Sequence, residues 1–221
     1  MGFEPAASLT EKIADHIGTE IIAGRLRPRA RIQELKVASE LGVSRGSVRE
    51  ALLILERRHL VEILPRRGAT VSALEADEVA NCAELVTELQ TSYYCKLSQC
   101  RHLDGQRFQA SLVGLGDAVQ AGDLDGALVA RRAFAQAGFP QLNNYYLVSV
   151  LKGLIPAGLR LAYLAASHPD YDLRDGLRYH QALLRAMSQH DESQVQQLVH
   201  AFNGRERKLA LGCLESERLA S

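Results

Sequence analysis

Arg45 and Arg49 are four residues apart in a stretch with the apolar spacing of a short helix. That spacing places both side chains on one helix face, opposite Val48 and Leu52, with Ser47 near them at the N-terminal end. A guanidinium can pair in a bidentate manner with guanine O6 and N7, or clamp a phosphate. The pattern predicts a face that contacts duplex DNA. A merely solvated basic face is the alternative for exposed arginines.

Two short helices joined by a tight turn would position this face. The second helix is predicted from about Gln33 to Leu41 and the third begins with Ser44 as its N-cap. Helices that cross closely need a small residue at the crossing, and the turn favours a left-handed backbone; Ala38 and Gly42 meet these needs. A helix-turn-helix is therefore predicted, with a shared core of Val37, Leu41, Val43, Val48 and Ala51.

The flanking segments complete a winged domain. The capping-box pattern Ser8-Leu9-Thr10-Glu11 precedes a first helix, predicted from about Leu9 to Ala23. After the third helix, residues 60–64 alternate like a strand, residues 65–68 resemble a turn and residues 69–71 form a second strand. Arg66 and Arg67 at the tip of this hairpin are predicted to reach phosphates or the minor groove.

Charge is distributed unevenly along a chain with 26 Lys and Arg and 26 Asp and Glu. Residues 25–67 contain 11 basic against 5 acidic side chains, a local excess that attracts phosphate. No stretch approaches the roughly 20 uninterrupted apolar residues of a membrane span, and residues 1–5 lack the order of a secretory signal. We therefore expect a cytoplasmic protein with no membrane partner.

After Leu74 the strand patterns end and helical periodicity begins. The expected fold class is mainly α, with a winged helix-turn-helix domain over residues 1–73 and an antiparallel all-helical bundle over 74–221. Pro156 is expected to kink the fourth bundle helix. Helical bundles commonly bind small ligands between their helices. The predicted bundle helices are Leu74 to about Ser98, Leu103 to Gln120, Leu124 to Ala137, Leu142 to Ala166, Leu173 to Ser188 and Ser193 to Leu219.

The N-terminal segments resemble the winged-helix domain of GntR-family bacterial transcription regulators over about residues 9 to 72. The matching segments include residues 24–28, 31–34, 41–45, 48–52, 55–56 and 65–68. Gly46-Ser47 stands where the family often has Thr-Pro, and His59 where a glycine is usual, so an operator sequence cannot be transferred from relatives. The resemblance implies contacts with a double-stranded DNA operator from Arg31, Ser44, Arg45, Ser47, Arg49, Arg66, Arg67 and Gly68.

The helical C-terminal half resembles the FCD ligand-binding domain of the FadR-like subgroup. The best local matches are residues 132–134, 179–182 and 186–191. The resemblance implies a homodimer whose bundle senses a small metabolite, commonly a carboxylate.

Many FCD domains hold a divalent metal with one aspartate and three histidines. Aligned on Phe134, this chain has Arg131 and Ala135 at the first two ligand positions, His180 at the third and about Phe202 at the last. His200 would point about 200° around the helix from Phe202. One neutral imidazole cannot hold a divalent ion usefully, so neither a metal nor another cofactor is predicted.

Arg131 is the residue predicted to replace the ion, because a guanidinium in a bundle cavity can bind a carboxylate directly. The alternative is a solvent-facing side chain, since either Arg131 or its neighbour must face water. Arg160, Arg178 and His180 are further candidates for the same effector site, and His180 alternatively is a hydrogen-bonded core residue. Tyr145, Tyr146 and Tyr163 are possible walls of the site or, alternatively, core residues.

These patterns predict a dimeric transcription regulator that binds a palindromic operator, with repression relieved by a metabolite favoured over activation. No nucleophile–base pair or paired carboxylates have a context that supports catalysis, so no enzyme is expected. Two alternatives stay open: a DNA-binding dimer without an effector, and an enzymatic bundle fused to a DNA-binding module.

Overall fold

The computed structural model describes residues 8–64 and 68–220, and the chain divides into two compact units, Met1–Leu74 and Glu75–Ser221. The predicted fold class is confirmed in its main features: a helical chain with an N-terminal winged helix-turn-helix and a C-terminal helical domain. The predicted turn at residues 65–68 lies largely outside the described residues. The first unit contains α1 (Leu9–Ile22), β1 (Arg31–Ile32), α2 (Glu34–Leu41), α3 (Arg45–Arg57), β2 (Val61–Leu64) and β3 (Gly68–Val71).

Helices α1 and α3 begin at serine side-chain caps, and α2 ends at a left-handed glycine. Ser8 and Glu11 form the expected capping box at the start of α1. Gly42 ends α2 with φ of 64°, a left-handed conformation in which a side chain is unfavourable. Ser44 caps α3, its Oγ accepting a hydrogen bond from the Ser47 amide at 3.0 Å. These caps fix the short turn that separates α2 from α3.

The core of the first unit joins α1, α3 and the sheet around the predicted helix-turn-helix positions. Val48 and Ala51 are fully buried, and Ala38 lies at 9% exposure where α2 packs on α3. The other predicted positions, Val37, Leu41 and Val43, are half-buried and pack against this core. Burying the apolar faces of such short helices supplies most of their stability, because helices of this length are marginal alone.

The sheet has a strand that the sequence pattern did not predict. Strand β3 is central in the order β1-β3-β2, and pairs antiparallel with β2 from Val61–Val71 to Leu64–Gly68. The two-residue strand β1 pairs with its other edge, placing Arg31 opposite Thr70. A strand of two residues has no readable alternation, and only its partner strand defines it.

The second unit is a helical bundle of α4 (Ala76–Ser98), α5 (Gln106–Ala121), α6 (Leu124–Ala137), α7 (Tyr145–Ala166), α8 (Leu173–Ser188) and α9 (Glu192–Ala220). In it, α4 packs against α7 and α9, α5 against α6, and α8 against α5 and α9. The starts of α4, α5 and α7 were predicted two or three residues too early. The start of α7 is set by Asn144, whose side chain accepts a hydrogen bond from the Leu147 amide, and a short 3-10 helix, Phe139–Gln141, lies before it. Asp123, Asp172 and Asp191 all accept hydrogen bonds from first-turn amides, as expected for helix starts.

Helix α7 is the apolar centre of this unit. Within the described residues it is the single helix long and apolar enough to cross a membrane by length and composition, and 56% of that stretch is buried in the protein. It carries Lys152 and Arg160 and contains Pro156. Its buried side chains pack against α4, α6 and α9, which is the role of a core helix in a bundle.

Candidate DNA interface and bundle cavity

A groove on the first unit unites β1, α3 and β3. Four of the predicted DNA-binding residues, Arg31, Arg45, Arg49 and Gly68, line it together. Arg31 is exposed on β1, and the side chains of Arg45 and Arg49 are 55% and 63% exposed on the first two turns of α3. Several basic side chains from separate elements thus face one open surface, as a site for the phosphates and base edges of DNA requires.

A glutamate that sequence reasoning missed binds both α3 arginines. Nε of Arg45 donates to Oε2 of Glu34 at 2.7 Å, and Nε of Arg49 donates to Oε1 at 3.3 Å. The hydrogen bond from Arg45 is the main reason that the pKa of Glu34 is held below its usual range. Glu34 is therefore ionised at neutral pH. Its position as the first residue of α2 was the feature that could have drawn attention to it in the sequence.

The remaining predicted DNA-binding residues are two serines of the helix-turn-helix and two arginines of the predicted hairpin. Ser44 and Ser47 lie at the N-terminal end of α3 but do not line the groove, and their hydroxyl oxygens are 2.9 Å apart. Ser44 is occupied as the helix cap. Arg66 and Arg67 lie outside the described residues.

The second unit holds a cavity of about 60 Å³ between α4, α6, α7, α8 and α9. The four positions that the resemblance aligns with metal ligands, Arg131, Ala135, His180 and Phe202, all line it. They do not fit a metal, because an arginine, an alanine and a phenylalanine offer no lone pair for a divalent ion. No cluster of three or more His, Cys, Asp or Glu that could hold a metal occurs in residues 8–64 and 68–220.

Arg131 projects into this cavity but is not available as predicted. Its Nη1 and Nη2 donate to the two carboxylate oxygens of Glu206, each at 2.7 Å, and its guanidinium lies 5.2 Å from the ring centre of Phe202. The two side chains are 11% and 14% exposed. Burial alone opposes the charge, but the nearby Glu206 carboxylate raises the pKa of Arg131. The guanidinium predicted to be open to an effector carboxylate is instead paired with the carboxylate of Glu206 on α9.

His180 is a neutral, buried residue of the cavity wall. Its Nδ1 lies 2.7 Å from the carbonyl oxygen of Gly176, so Nδ1 carries the proton and Nε2 is left as an acceptor. The ring packs edge-on against Phe134 and Tyr179. Burial, with a smaller contribution from the Arg131 charge, lowers the pKa of His180 to about 3.

Tyr179 adds a hydrogen-bond donor to the cavity. Its ring stacks on Phe202, and its hydroxyl is buried without a hydrogen-bond partner in the described part of the chain. A buried hydroxyl without a partner is costly, so a bound molecule with an acceptor would be stabilised there. Apolar side chains of α7, among them Leu151 and Ile155, form the facing wall.

Three other residues predicted for the effector site do not line the cavity. Arg178 is exposed and pairs with Asp175, because it lies about 200° around α8 from His180. Tyr145 is 78% exposed at the first turn of α7. Arg160 is buried, and burial lowers its pKa to about 10, but it follows the lining residue Leu159 and occupies a neighbouring face of α7. The possible wall residues Tyr146 and Tyr163 are likewise absent from the lining.

Comparisons with known proteins agree with this architecture. Residues 9–71 match the family described as bacterial regulatory proteins, gntR family. The HTH-type transcriptional regulator McbR of Escherichia coli K12 is 25% identical over 187 residues, covering 84% of this chain and 85% of McbR. The HTH-type transcriptional repressor RspR of the same strain is 24% identical over 204 residues, with 84% and 87% covered. The gluconate operon transcriptional repressor of Bacillus licheniformis is 30% identical over 93 residues, 42% of this chain and 38% of that protein.

Solved structures share the fold over nearly the whole chain. The structure of E. coli McbR/YncC has a TM-score of 0.75 at 20% identity, covering 96% of this chain and 100% of that one. A chain from Rhodococcus sp. RHA1 has a TM-score of 0.72 at 21% identity, with 93% and 99% covered. Residues 9–71 thus form a gntR-family winged helix-turn-helix domain, and the chain is similar over most of its length to HTH-type transcriptional regulators.

Proposed function

We propose that this protein is a GntR-family transcriptional regulator that acts in the cytoplasm as a homodimer, whose two winged helices bind the half-sites of a palindromic operator. The groove that unites Arg31, Arg45, Arg49 and Gly68 within the matched domain carries this proposal. Arg45 and Arg49 read base edges in the major groove, and Arg31 contacts phosphate. Ser44, Ser47, Arg66 and Arg67 complete the proposed DNA-binding set.

The bundle is the proposed dimerisation and effector domain, of the FCD type. The alignments with McbR and RspR extend well beyond the winged helix and support a shared two-domain organisation. Repression is the proposed sign of regulation, supported by the printed names of RspR and the gluconate operon repressor. An effector that changes the spacing of the two recognition helices would weaken both half-site contacts at once.

The proposed effector is a small uncharged molecule with at least one hydrogen-bond acceptor and one donor, bound in the bundle cavity. The Tyr179 hydroxyl offers a donor and His180 Nε2 an acceptor, beside the apolar wall of α7. A carboxylate effector would have to displace Glu206 from Arg131 and leave that carboxylate buried without its partner. This exchange is unfavourable, so the cavity favours a ligand without charge.

Selection from a random duplex library with the full-length protein tests the DNA-binding proposal. The enriched sequence should be a palindrome, and fluorescence anisotropy on it should show a loss of about 1 to 3 kcal/mol of binding free energy for Arg49→Ala. Lys12→Ala is the matched control, because Lys12 is exposed on α1 and does not line the groove. No enrichment above background would reject operator recognition.

Thermal-shift screening of matched uncharged and carboxylate metabolites tests the effector proposal. A ligand at 100 times its Kd stabilises the folded state by about 2.7 kcal/mol. A stabilising uncharged ligand that loses its effect in Tyr179→Phe supports the proposed class. Stabilisation by carboxylates alone would overturn it. If no compound in the library stabilised the protein, an effector-free dimer would be favoured. If a stabilising compound were turned over, the bundle would be an enzyme.

A further inference from the structure

We infer that Glu34 is a positioning residue for DNA recognition, which orients Arg45 and Arg49 for base contact and limits their attraction to phosphate. The inference rests on the proposed operator binding. It concerns a carboxylate in a surface that would otherwise be basic, where a negative charge is unfavourable beside phosphates unless it has a specific partner.

The geometry of the two ion pairs leaves the recognition ends of both arginines available. Each guanidinium meets Glu34 through Nε, at 2.7 Å for Arg45 and 3.3 Å for Arg49. Bidentate pairing with guanine uses two guanidinium nitrogens in one edge. The terminal Nη1 and Nη2 supply such an edge while Nε stays on the carboxylate. One glutamate can therefore hold both side chains during base contact.

Orientation before binding reduces the entropy lost when an arginine is immobilised on DNA. The arginine side chain has large rotamer freedom, and a rigid partner removes part of it in the free protein. Glu34 is suited to this role because its own side chain is only 16% exposed and its residue starts a helix. The arginines are by contrast more than half exposed, so Glu34 is their fixed point.

The same carboxylate reduces the net charge of the cluster formed by Glu34, Arg45 and Arg49 from two positive charges to one. Binding to non-specific DNA comes almost wholly from charge, whereas binding to an operator also uses oriented base contacts. Glu34 therefore weakens binding to non-specific DNA and strengthens binding to the operator. Its effect is on the ratio of the two affinities.

The decisive measurement compares two duplexes, the one selected by the wild-type full-length protein and a scrambled duplex of equal composition. In Glu34→Gln, the size is kept and the charge is lost. We expect affinity for the scrambled duplex to rise, its salt dependence to steepen by about one phosphate contact, and the specificity ratio to fall about tenfold. Glu34→Asp keeps the charge but shortens the reach, so it should weaken selected-duplex binding and leave scrambled-duplex binding unchanged.

A purely structural role for Glu34, such as favourable charge at the start of α2, predicts a different result. Both duplexes would then lose affinity in parallel, with unchanged salt dependence and a lower melting temperature. That result, or an unchanged specificity ratio in both variants, would overturn the inference. Failure of the wild-type protein to select any sequence would instead reject the proposed operator binding, so the two failures are distinguishable.

Discussion

Arg131 on α6 and Glu206 on α9 form a bidentate ion pair inside the bundle, with two nitrogen–oxygen distances of 2.7 Å. Both charges are largely removed from water, so each charge is stabilised by its partner and not by solvent. A buried pair of this kind adds little net stability compared with an apolar pair, but its rupture leaves a buried charge. The pair therefore holds α6 and α9 in one arrangement around the cavity.

Breaking this pair should destabilise the bundle strongly. Glu206→Gln is expected to lower the free energy of unfolding by roughly 3 kcal/mol, because the Arg131 charge loses its partner. Arg131→Met with Glu206→Leu should recover most of this loss. The measurement is urea denaturation followed by circular dichroism. Arg178→Ala is the control, since its pair with Asp175 is exposed and should contribute at most about 1 kcal/mol. Equal losses in Glu206→Gln and the control would contradict the role of burial.

His180 should make the bundle less stable in acid. Its pKa is about 3 in the folded state, against an ordinary value near 6.5 expected in the unfolded chain. Between these values the unfolded chain takes up a proton that the folded state does not, so stability is complete above about pH 6.5 and falls as the pH falls towards 3. From pH 7 to pH 5, wild type should lose about 2 kcal/mol more than His180→Asn. Parallel pH profiles of unfolding free energy would show that His180 titrates normally.

Two glycines around the helix-turn-helix should respond oppositely to alanine. Gly42 has φ of 64° and an added Cβ would meet no atom within 4 Å, so Gly42→Ala should cost about 1 to 2 kcal/mol from backbone strain alone. Gly46 lies inside α3, where an added Cβ meets only Ser44 Oγ at 3.6 Å. Gly46→Ala should therefore stabilise by about 0.5 kcal/mol. Thermal unfolding of both variants checks the contrast, and a stabilising Gly42→Ala would refute the conformational argument.

Arg31 should contact phosphate rather than bases, since it lies on β1 and not on the recognition helix α3. Arg31→Ala is expected to weaken selected and scrambled duplexes by similar factors and to reduce the salt slope by about one contact. Anisotropy titrations at several salt concentrations measure both. A loss confined to the selected duplex would assign Arg31 to base recognition.

The sequence predicts the helix-turn-helix well because its determinants are local. The cap at Ser44, the left-handed Gly42 and the small Ala38 act within a few residues of their own position. His59 is informative in another way: it adopts φ of 57°, which explains why a glycine is usual there. The bundle helices with acidic N-caps, such as the one after Asp172, were located equally well.

The two missed ion pairs join residues that are distant in sequence. Glu34 reaches Arg49 across 15 positions and Glu206 reaches Arg131 across 75, and periodicity does not indicate such pairings. The effector-site candidates Arg178 and Tyr145 were chosen for residue type, but helix rotation places them towards solvent. Only the packed bundle decides which of several arginines faces its cavity.

The central place of β3 in the sheet has a mechanical consequence. Because β3 bonds to β2 on one side and to β1 on the other, a shift of the hairpin pulls directly on the segment between α1 and α2. That segment carries Arg31 and leads immediately into Glu34. If a DNA backbone displaced the hairpin, the movement would therefore reach Glu34, the carboxylate that orients Arg45 and Arg49. Contact with phosphate and recognition of bases would then be coupled.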